Sequence, residues 1–120
     1  MKYMLLIYSE PAVWDARSAA ERDGALAEVN RLVAELKDYG EWVGGEPLAD
    51  PANTRTVRVR DGVPEVTDGP FLEAKEHLAG FCIVECESAE RATEIAARWP
   101  DSRYVALEVR PVMYPAGLEM

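Results

Sequence analysis

The residues best suited to chemistry lie in one short run, residues 68–76, which crowds four ionisable side chains and an aromatic ring into a turn. An Asp-Gly-Pro turn needs none of the charges that follow it. Asp68 and Glu76 are the candidate catalytic residues, because a carboxylate held among other carboxylates can carry a proton near neutral pH and act as a general acid or base. The run therefore predicts a functional loop on a rigid scaffold.

The side chains around these carboxylates suit the binding of a small ligand. Lys75 can neutralise an anionic group, and Arg58, in the first strand of the preceding hairpin, can add a second cation if that hairpin folds over the loop. Phe71 can stack on a ring, and Glu73 lies three residues before Glu76, on the same face of a helical turn. The predicted ligand-binding residues are therefore Arg58, Phe71, Glu73 and Lys75.

Structural roles for the same residues stay open. Asp68 can accept hydrogen bonds from the backbone of its own turn, Phe71 can anchor its loop in the core, and Lys75 can lie in solvent. His77, the one histidine, is either catalytic or a hydrogen-bonded residue beside a strand. Trp14, between the first strand and the first long helix, is predicted at the mouth of a pocket.

The composition favours one acidic domain over the whole chain, residues 1–120, with 22 acidic and 13 basic side chains and a net charge of -9. That charge repels phosphate backbones and anionic lipid surfaces, so nucleic acid and membranes are not expected partners. Residues 2–8 indicate a strand rather than an export signal, and no apolar run reaches the roughly 20 residues that span a bilayer. We therefore predict a cytoplasmic protein.

Cofactor and metal motifs are missing from the sequence. Cys82 and Cys86 share one face of a predicted strand, about 13 Å apart at about 3.3 Å per residue, which is too far for a disulfide between them. With a single histidine to join them they make no metal site, and we predict buried, reduced thiols. A phosphate-binding loop and a nucleophile elbow are also absent, so no cofactor is predicted.

The elements that must position these residues follow from hydrophobic periodicity. Strands are predicted at residues 2–8, 41–45, 54–60, 63–67, 81–87 and 105–110, and helices at about residues 16–39 and at residues 89–99. Gly24 weakens the first half of the longer helix, so the alternative is a start nearer Ala25 or a bend at Gly24. Gly44 and Gly45 predict a bulge or a close backbone approach in the second strand. The order predicts an α+β fold, a ferredoxin-like βαββαβ sandwich with an inserted β-hairpin and both helices on one side of the sheet. The other face is too apolar for water, so either a second copy or the inserted hairpin must cover it. We predict a homodimer with the sheets face to face.

Several segments spread along the chain form a recognisable set: residues 1–7, 44–46, 56–62, 66–71, 75–76, 80–81 and 108–113. With them the chain resembles the YCII-related proteins, and within these the branch named for the motif Asp68-Gly69-Pro70-Phe71. The resemblance implies a dimeric α+β barrel but no assigned activity. Some members are encoded beside or fused to extracytoplasmic-function sigma factors, which implies a ligand-sensing or regulatory role and such a factor as a partner.

Better-studied relatives in this family carry a His-Asp pair proposed as catalytic, with the histidine on the first helix. The corresponding stretch, residues 27–31, contains no histidine, so that role does not transfer to this chain. Leu72 and Ala74 stand where the branch has Ala and Thr, and Ala79 replaces a glycine. The loss of the Thr hydroxyl removes a hydrogen-bond donor from the loop.

The sequence thus favours a small homodimeric protein that binds a polar or anionic molecule near loop 68–76 and has a ligand-sensing or regulatory role. The alternative is a cofactor-independent enzyme, a lyase, isomerase or hydrolase. In that case Asp68 or Glu76 moves a proton while a nearby cation stabilises the charge that develops.

Overall fold

Six strands and three α-helices make up residues 1–113, the part of the chain that the computed structural model describes. In chain order they are β1 (Lys2–Ser9), α1 (Pro11–Asp15), α2 (Ala19–Asp38), β2 (Trp42–Pro47), β3 (Arg55–Arg60), β4 (Val63–Asp68), β5 (His77–Glu85), α3 (Ala89–Arg98) and β6 (Ala106–Pro111). Short 3-10 helices lie at Pro51–Asn53 and Pro100–Arg103. The predicted domain extends to residue 120, and residues 114–120 lie outside the described residues.

A four-stranded antiparallel sheet with the strand order β2-β5-β1-β6 carries the core. Successive side chains of a strand point to opposite faces, and the inner face of β1 presents Leu5 and Ile7. These pack in one buried cluster with Leu36 of α2 and Ile95 of α3. The predicted α+β class is therefore confirmed, and the topology is compatible with a ferredoxin-like fold.

The opposite face of the sheet lies away from both long helices. Met4 pairs with Ile83 and Leu6 with Phe81 across β1 and β5, so four large apolar side chains form a contiguous patch. All four are partly exposed. This patch is the surface on which the predicted dimer depends.

The first long helix begins later than the periodicity predicts. Residues 11–15 form the separate helix α1, and α2 begins at Ala19 because Ser18 caps it. The Ser18 hydroxyl accepts a hydrogen bond from the Glu21 N–H at 3.1 Å, and the Glu21 carboxylate accepts one from the Ser18 N–H at 3.0 Å. Helix α2 therefore begins between the two predicted starts, and the break leaves Arg17 in the link between the two helices.

Strand β2 lies unusually close to β5 at its second glycine. The pairing of the two strands shifts register between Trp42 and Gly44, which makes a bulge. A Cβ atom on Gly45 would lie only 2.5 Å from the carbonyl oxygen of Phe81 and 2.6 Å from the Cβ of Cys82. Both predicted features of the glycine pair are present, and the approach is possible because residue 45 has no side chain.

Strands β3 and β4 form a separate two-stranded antiparallel sheet, the β3–β4 ribbon. Asp61 and Gly62 connect them with φ angles of 49° and 77°, as a tight hairpin turn requires. Val57 and Val66 face each other across the ribbon and are 60% and 58% exposed. Since nearly all ribbon residues are exposed, the ribbon does not cover the apolar patch of the main sheet.

Candidate functional site

A cavity of about 680 Å³ lies between the middle of α2 and the inner face of the sheet where β2 meets β5; we call it the α2 cavity. Its walls are mainly apolar. From α2 the lining residues are Ala25, Leu26, Val29, Asn30 and Val33, and from the sheet they include Ile7, Gly45, Ala79, Gly80 and Cys82. A cavity of this volume and composition is typical of small-molecule sites.

All three tryptophans of the chain line the α2 cavity. Trp14 of α1 is 39% exposed at the cavity edge, as the predicted pocket-mouth position requires. Trp42 begins β2, and Trp99, which follows α3, is almost fully buried in the core. Because indole rings offer flat apolar surfaces, the cavity suits a ligand with a planar apolar body.

Arg17 is the one buried charged residue among residues 1–113, with 8% of its surface exposed, and it lines the α2 cavity. Its Cζ atom lies 3.4 Å from the ring centroid of Tyr104 and 5.2 Å from that of Trp14. The Nε atom has no hydrogen-bond partner, and no carboxylate of the described residues forms an ion pair with the guanidinium. The cation is therefore held in place by aromatic rings with N–H donors to spare.

Asp101 and His77 add two titratable groups to the same cavity. Burial raises the pKa of the Asp101 carboxyl, although Arg17, the backbone and Arg103 act in the opposite direction. Strand β5 begins at His77, earlier than predicted, and the buried Nδ1 atom of His77 has no hydrogen-bond partner within residues 1–113. A carboxyl with a raised pKa inside a cavity is a candidate proton carrier.

Asp101→Asn is expected to raise the melting temperature at neutral pH. Because the pKa of Asp101 is raised from 3.8, the folded state holds this proton more tightly than the unfolded chain. The stabilising contribution is complete below the unfolded pKa and is lost as the pH rises through the folded pKa. Melting temperatures of the variant and the natural protein should therefore agree near about pH 3.5 and diverge by about pH 7.

Asp15→Asn is the matched control, because Asp15 also lines the α2 cavity but is exposed. It should show no such pH-dependent gap in melting temperature. If Asp101→Asn were instead less stable at neutral pH, the Asp101 carboxylate would be a net stabilising partner of Arg17, which contradicts the prediction.

Two of the predicted ligand-binding residues come together at the protein surface, outside the lining of the α2 cavity. The Cζ atom of Arg58 lies 5.6 Å from the ring centroid of Phe71, which is 66% exposed. The Asp68 carboxylate accepts no hydrogen bond within residues 1–113; the Thr56 hydroxyl instead donates to the Gly69 carbonyl at 2.8 Å and ties the turn to β3. Asp68 therefore does not hold its own turn through its side chain.

The rest of loop 68–76 is also exposed. Glu73 and Lys75 line neither the α2 cavity nor the more open depression that Glu76 lines. The neighbours of Glu76 in that depression include Tyr8, Glu10, Tyr104 and Glu108. The loop reaches the α2 cavity only through His77, the residue that follows it.

Arg17 and Asp101 belong to no motif, and only indirect signals mark them in the sequence. The capping box of Ser18 and Glu21 places a helix start directly after Arg17, which keeps that residue out of the helix. Pro100 ends the run of α3, which brings Asp101 into the following 3-10 helix beside the cavity. Neither signal indicates that the two residues line the same cavity.

Metal binding and thiol chemistry have little support in the described residues. Within residues 1–113, no group of three His, Cys, Asp or Glu side chains could hold a metal ion. Cys82 and Cys86 are buried and unpaired, as predicted. Burial raises the pKa of the Cys82 thiol to about 12, so this cavity residue stays protonated and is a poor nucleophile.

Among residues 1–113, no helix is both long and apolar enough to cross a membrane.

A family profile described as the YCII-related domain matches residues 1–115. The chain belongs to the YCII-related family. This YCII-related chain is 28% identical over 120 residues to an uncharacterised protein of Rhizobium meliloti (strain 1021), a match that covers 98% of this chain and 97% of the relative.

A solved structure with a similar backbone is 5-chloro-2-hydroxyhydroquinone dehydrochlorinase from Burkholderia phenoliruptrix AC1100, in complex with 2,5-dihydroxybenzoquinone. The TM-score is 0.51 and the sequence identity 16%, and the match covers 97% of each chain. At this identity the likeness shows that the YCII-related chain and the dehydrochlorinase share a fold.

Proposed function

We propose that this YCII-related protein binds a small polar or anionic organic molecule in the α2 cavity. The observation that carries the proposal is Arg17, a buried cation that lines the cavity without an ion-pair partner among residues 1–113. Burying a charge is costly unless it is paired, because water can no longer solvate it. A ligand with an acidic or strongly polar group would supply the missing partner.

Loop 68–76 lies outside the α2 cavity and adjoins it only at His77. The loop leads directly into His77, whose ring lines the cavity, and Glu76 is its immediate neighbour in the chain. For Arg58, Phe71, Glu73 and Lys75 to bind the same molecule, the loop and the β3–β4 ribbon would have to move towards the cavity. A ligand-sensing role would be consistent with such a movement.

A thermal-shift screen against small organic acids and neutral metabolites tests the proposal, with tryptophan fluorescence as a second readout. A ligand at 100 times its Kd stabilises the folded state by about 2.7 kcal/mol, which raises the melting temperature measurably. Hits should also change the fluorescence, because all three tryptophans line the cavity.

Asp68→Ala is the control in this screen, and its hits should remain, since Asp68 lies outside the cavity. A hit that Asp68→Ala abolishes would move the site to loop 68–76. A screen whose hits leave the tryptophan fluorescence unchanged would contradict binding in the α2 cavity.

A cofactor-independent enzyme, a lyase, isomerase or hydrolase, is the second candidate function. The raised pKa of Asp101 supports a general acid or base inside the cavity, which would act in place of the sequence candidates Asp68 and Glu76. A dehydrochlorinase with this fold shows that the scaffold can host an enzyme. Incubating hits with the protein and following them by NMR would detect turnover, and Asp101→Asn should stop turnover while binding persists.

We further propose that two copies associate through the apolar patch of the main sheet, as a dimeric α+β barrel in which the β3–β4 ribbon is an insertion. The four large apolar side chains of that patch support this, since monomers rarely leave such a surface uncovered. Light scattering at micromolar concentration should return twice the 13.3 kDa chain mass.

The cytoplasmic location, the Asp-Gly-Pro-Phe branch and a sigma-factor partner stay predictions.

A further inference from the structure

The Arg17 guanidinium stacks on the ring of Tyr104, so its N–H groups point away from that contact. A distance of 3.4 Å between Cζ and the Tyr104 ring centroid is that of a planar group lying on the ring. Stacking occupies the flat face of a guanidinium and leaves its N–H groups at the edge. Arg17 makes no side-chain hydrogen bond within residues 1–113, and its Nε is buried. The N–H groups at the edge of the guanidinium can therefore donate two parallel hydrogen bonds to a planar acidic group.

The carboxylates of the α2 cavity do not take this place. Asp15, Glu46 and Asp50 line the cavity but are exposed, so water and salt screen them. Asp101 is partly buried and forms no ion pair with Arg17, and burial raises the pKa of its carboxyl. Arg17 is therefore left without a carboxylate partner among residues 1–113, and a ligand with one negative charge would supply that partner.

The walls of the cavity exclude a compact inorganic anion as the natural occupant. Most of the lining is apolar, and Trp14, Trp42 and Trp99 all contribute to it. A phosphate would leave these surfaces unused and would bring two charges to one guanidinium among several carboxylates. A flat ring, in contrast, can pack against indole faces while its acidic group meets Arg17.

We infer that the ligand of the α2 cavity is an aromatic monoanion whose carboxylate or phenolate oxygens bind Arg17 and whose ring packs against the tryptophan-lined wall. This inference rests on the proposed function, because it names the class of molecule that the cavity takes. Phenolates and carboxylates share the required chemistry, an anionic oxygen next to a conjugated ring.

Calorimetric titration of the natural chain with four probes tests the class of ligand. We expect 2-naphthoate to bind, and 2-naphthamide, its neutral isostere, to bind at least about 30-fold more weakly, as expected for the loss of one desolvated charged partner. Cyclohexanecarboxylate should bind about tenfold more weakly than 2-naphthoate, because it has the charge but no flat aromatic ring. Titration with 4-nitrophenolate then distinguishes phenolates from carboxylates.

Variants at Arg17 identify the cation. Arg17→Gln should weaken 2-naphthoate binding by about 30- to 100-fold and leave 2-naphthamide unchanged, and Arg17→Lys should keep part of the affinity. Arg31→Gln is the matched control: Arg31 lies on α2 next to the cavity residue Asn30, but it is exposed and does not line the cavity. Its 2-naphthoate affinity should equal that of the natural protein.

The outcomes separate the inference from the proposed function. Equal affinities for 2-naphthoate and 2-naphthamide would overturn the inference even if Arg17→Gln failed to fold, and would leave cavity binding intact. An unchanged 2-naphthoate affinity in a folded Arg17→Gln variant would also overturn it. If no organic molecule of any charge bound the cavity, the proposed function itself would fall, and the inference with it.

Discussion

Gly45→Ala is expected to lower the free energy of unfolding by about 2–3 kcal/mol, the usual cost of adding a methyl group to a packed site. The new Cβ would overlap the carbonyl oxygen of Phe81 and the Cβ of Cys82, at 2.5 Å and 2.6 Å. Strand β5 is fixed between β2 and β1, so the edge strand β2 has to move. Because Gly45 lines the α2 cavity, the same shift should weaken ligand binding.

Gly44→Ala is the matched control for this clash. A Cβ at Gly44 would have no atom within 4 Å, so this substitution should change stability by no more than about 0.5 kcal/mol. In urea unfolding followed by circular dichroism, Gly45→Ala should lower the midpoint by about 1 M, given an m-value of about 2 kcal/mol per M. Equal midpoints for the two variants would contradict the prediction, because they would show that β2 can move without a loss in the free energy of unfolding.

Ala25→Trp is expected to abolish ligand binding while the protein stays folded. Ala25 lies on α2 and lines the cavity, so an indole added there competes directly with the ligand for the same space. Substitution of a small wall residue by a large one should cost at least about 30-fold in affinity, or about 2 kcal/mol. Calorimetry is the appropriate measurement, since the added tryptophan alters the fluorescence.

Ala27→Trp provides the comparison, because Ala27 lies two residues further along α2, is exposed and does not line the cavity. It carries the same helix-propensity penalty and the same added ring. Its affinity should therefore match that of the natural protein. If both variants bound equally well, the ligand site would lie elsewhere on the chain.

The scaffold could be predicted largely from local patterns. Strand β1 was expected at residues 2–8 and ends one residue later, and α3 is bounded by Ser88 and Pro100 as its sequence indicates. The start of α2 could not be fixed by apolar spacing, because the regular stripe of large apolar residues begins only at Leu26. The hydrogen bonds of Ser18 and Glu21, not the spacing, decide where that helix begins.

The cavity could not be predicted in the same way, because its polar groups come from separate parts of the chain. Arg17 lies between two helices, His77 begins β5 and Asp101 follows α3. Arginine is usually exposed, and no local pattern marks the one that tertiary packing buries. Loop 68–76 is prominent in the sequence because its charges are adjacent, whereas the charges of the cavity become neighbours only after folding.

Because the β3–β4 ribbon is a sheet of its own, we expect it to unfold as a unit separate from the main sheet. Its strands pair only with each other within residues 1–113, and a lone two-stranded sheet is marginally stable in water. Amide protons of the ribbon therefore exchange with solvent through local opening, at a small fraction of the free energy needed to expose those of β1, which is paired on both sides. The ribbon can thus melt and reform while the tryptophan-lined body keeps its shape.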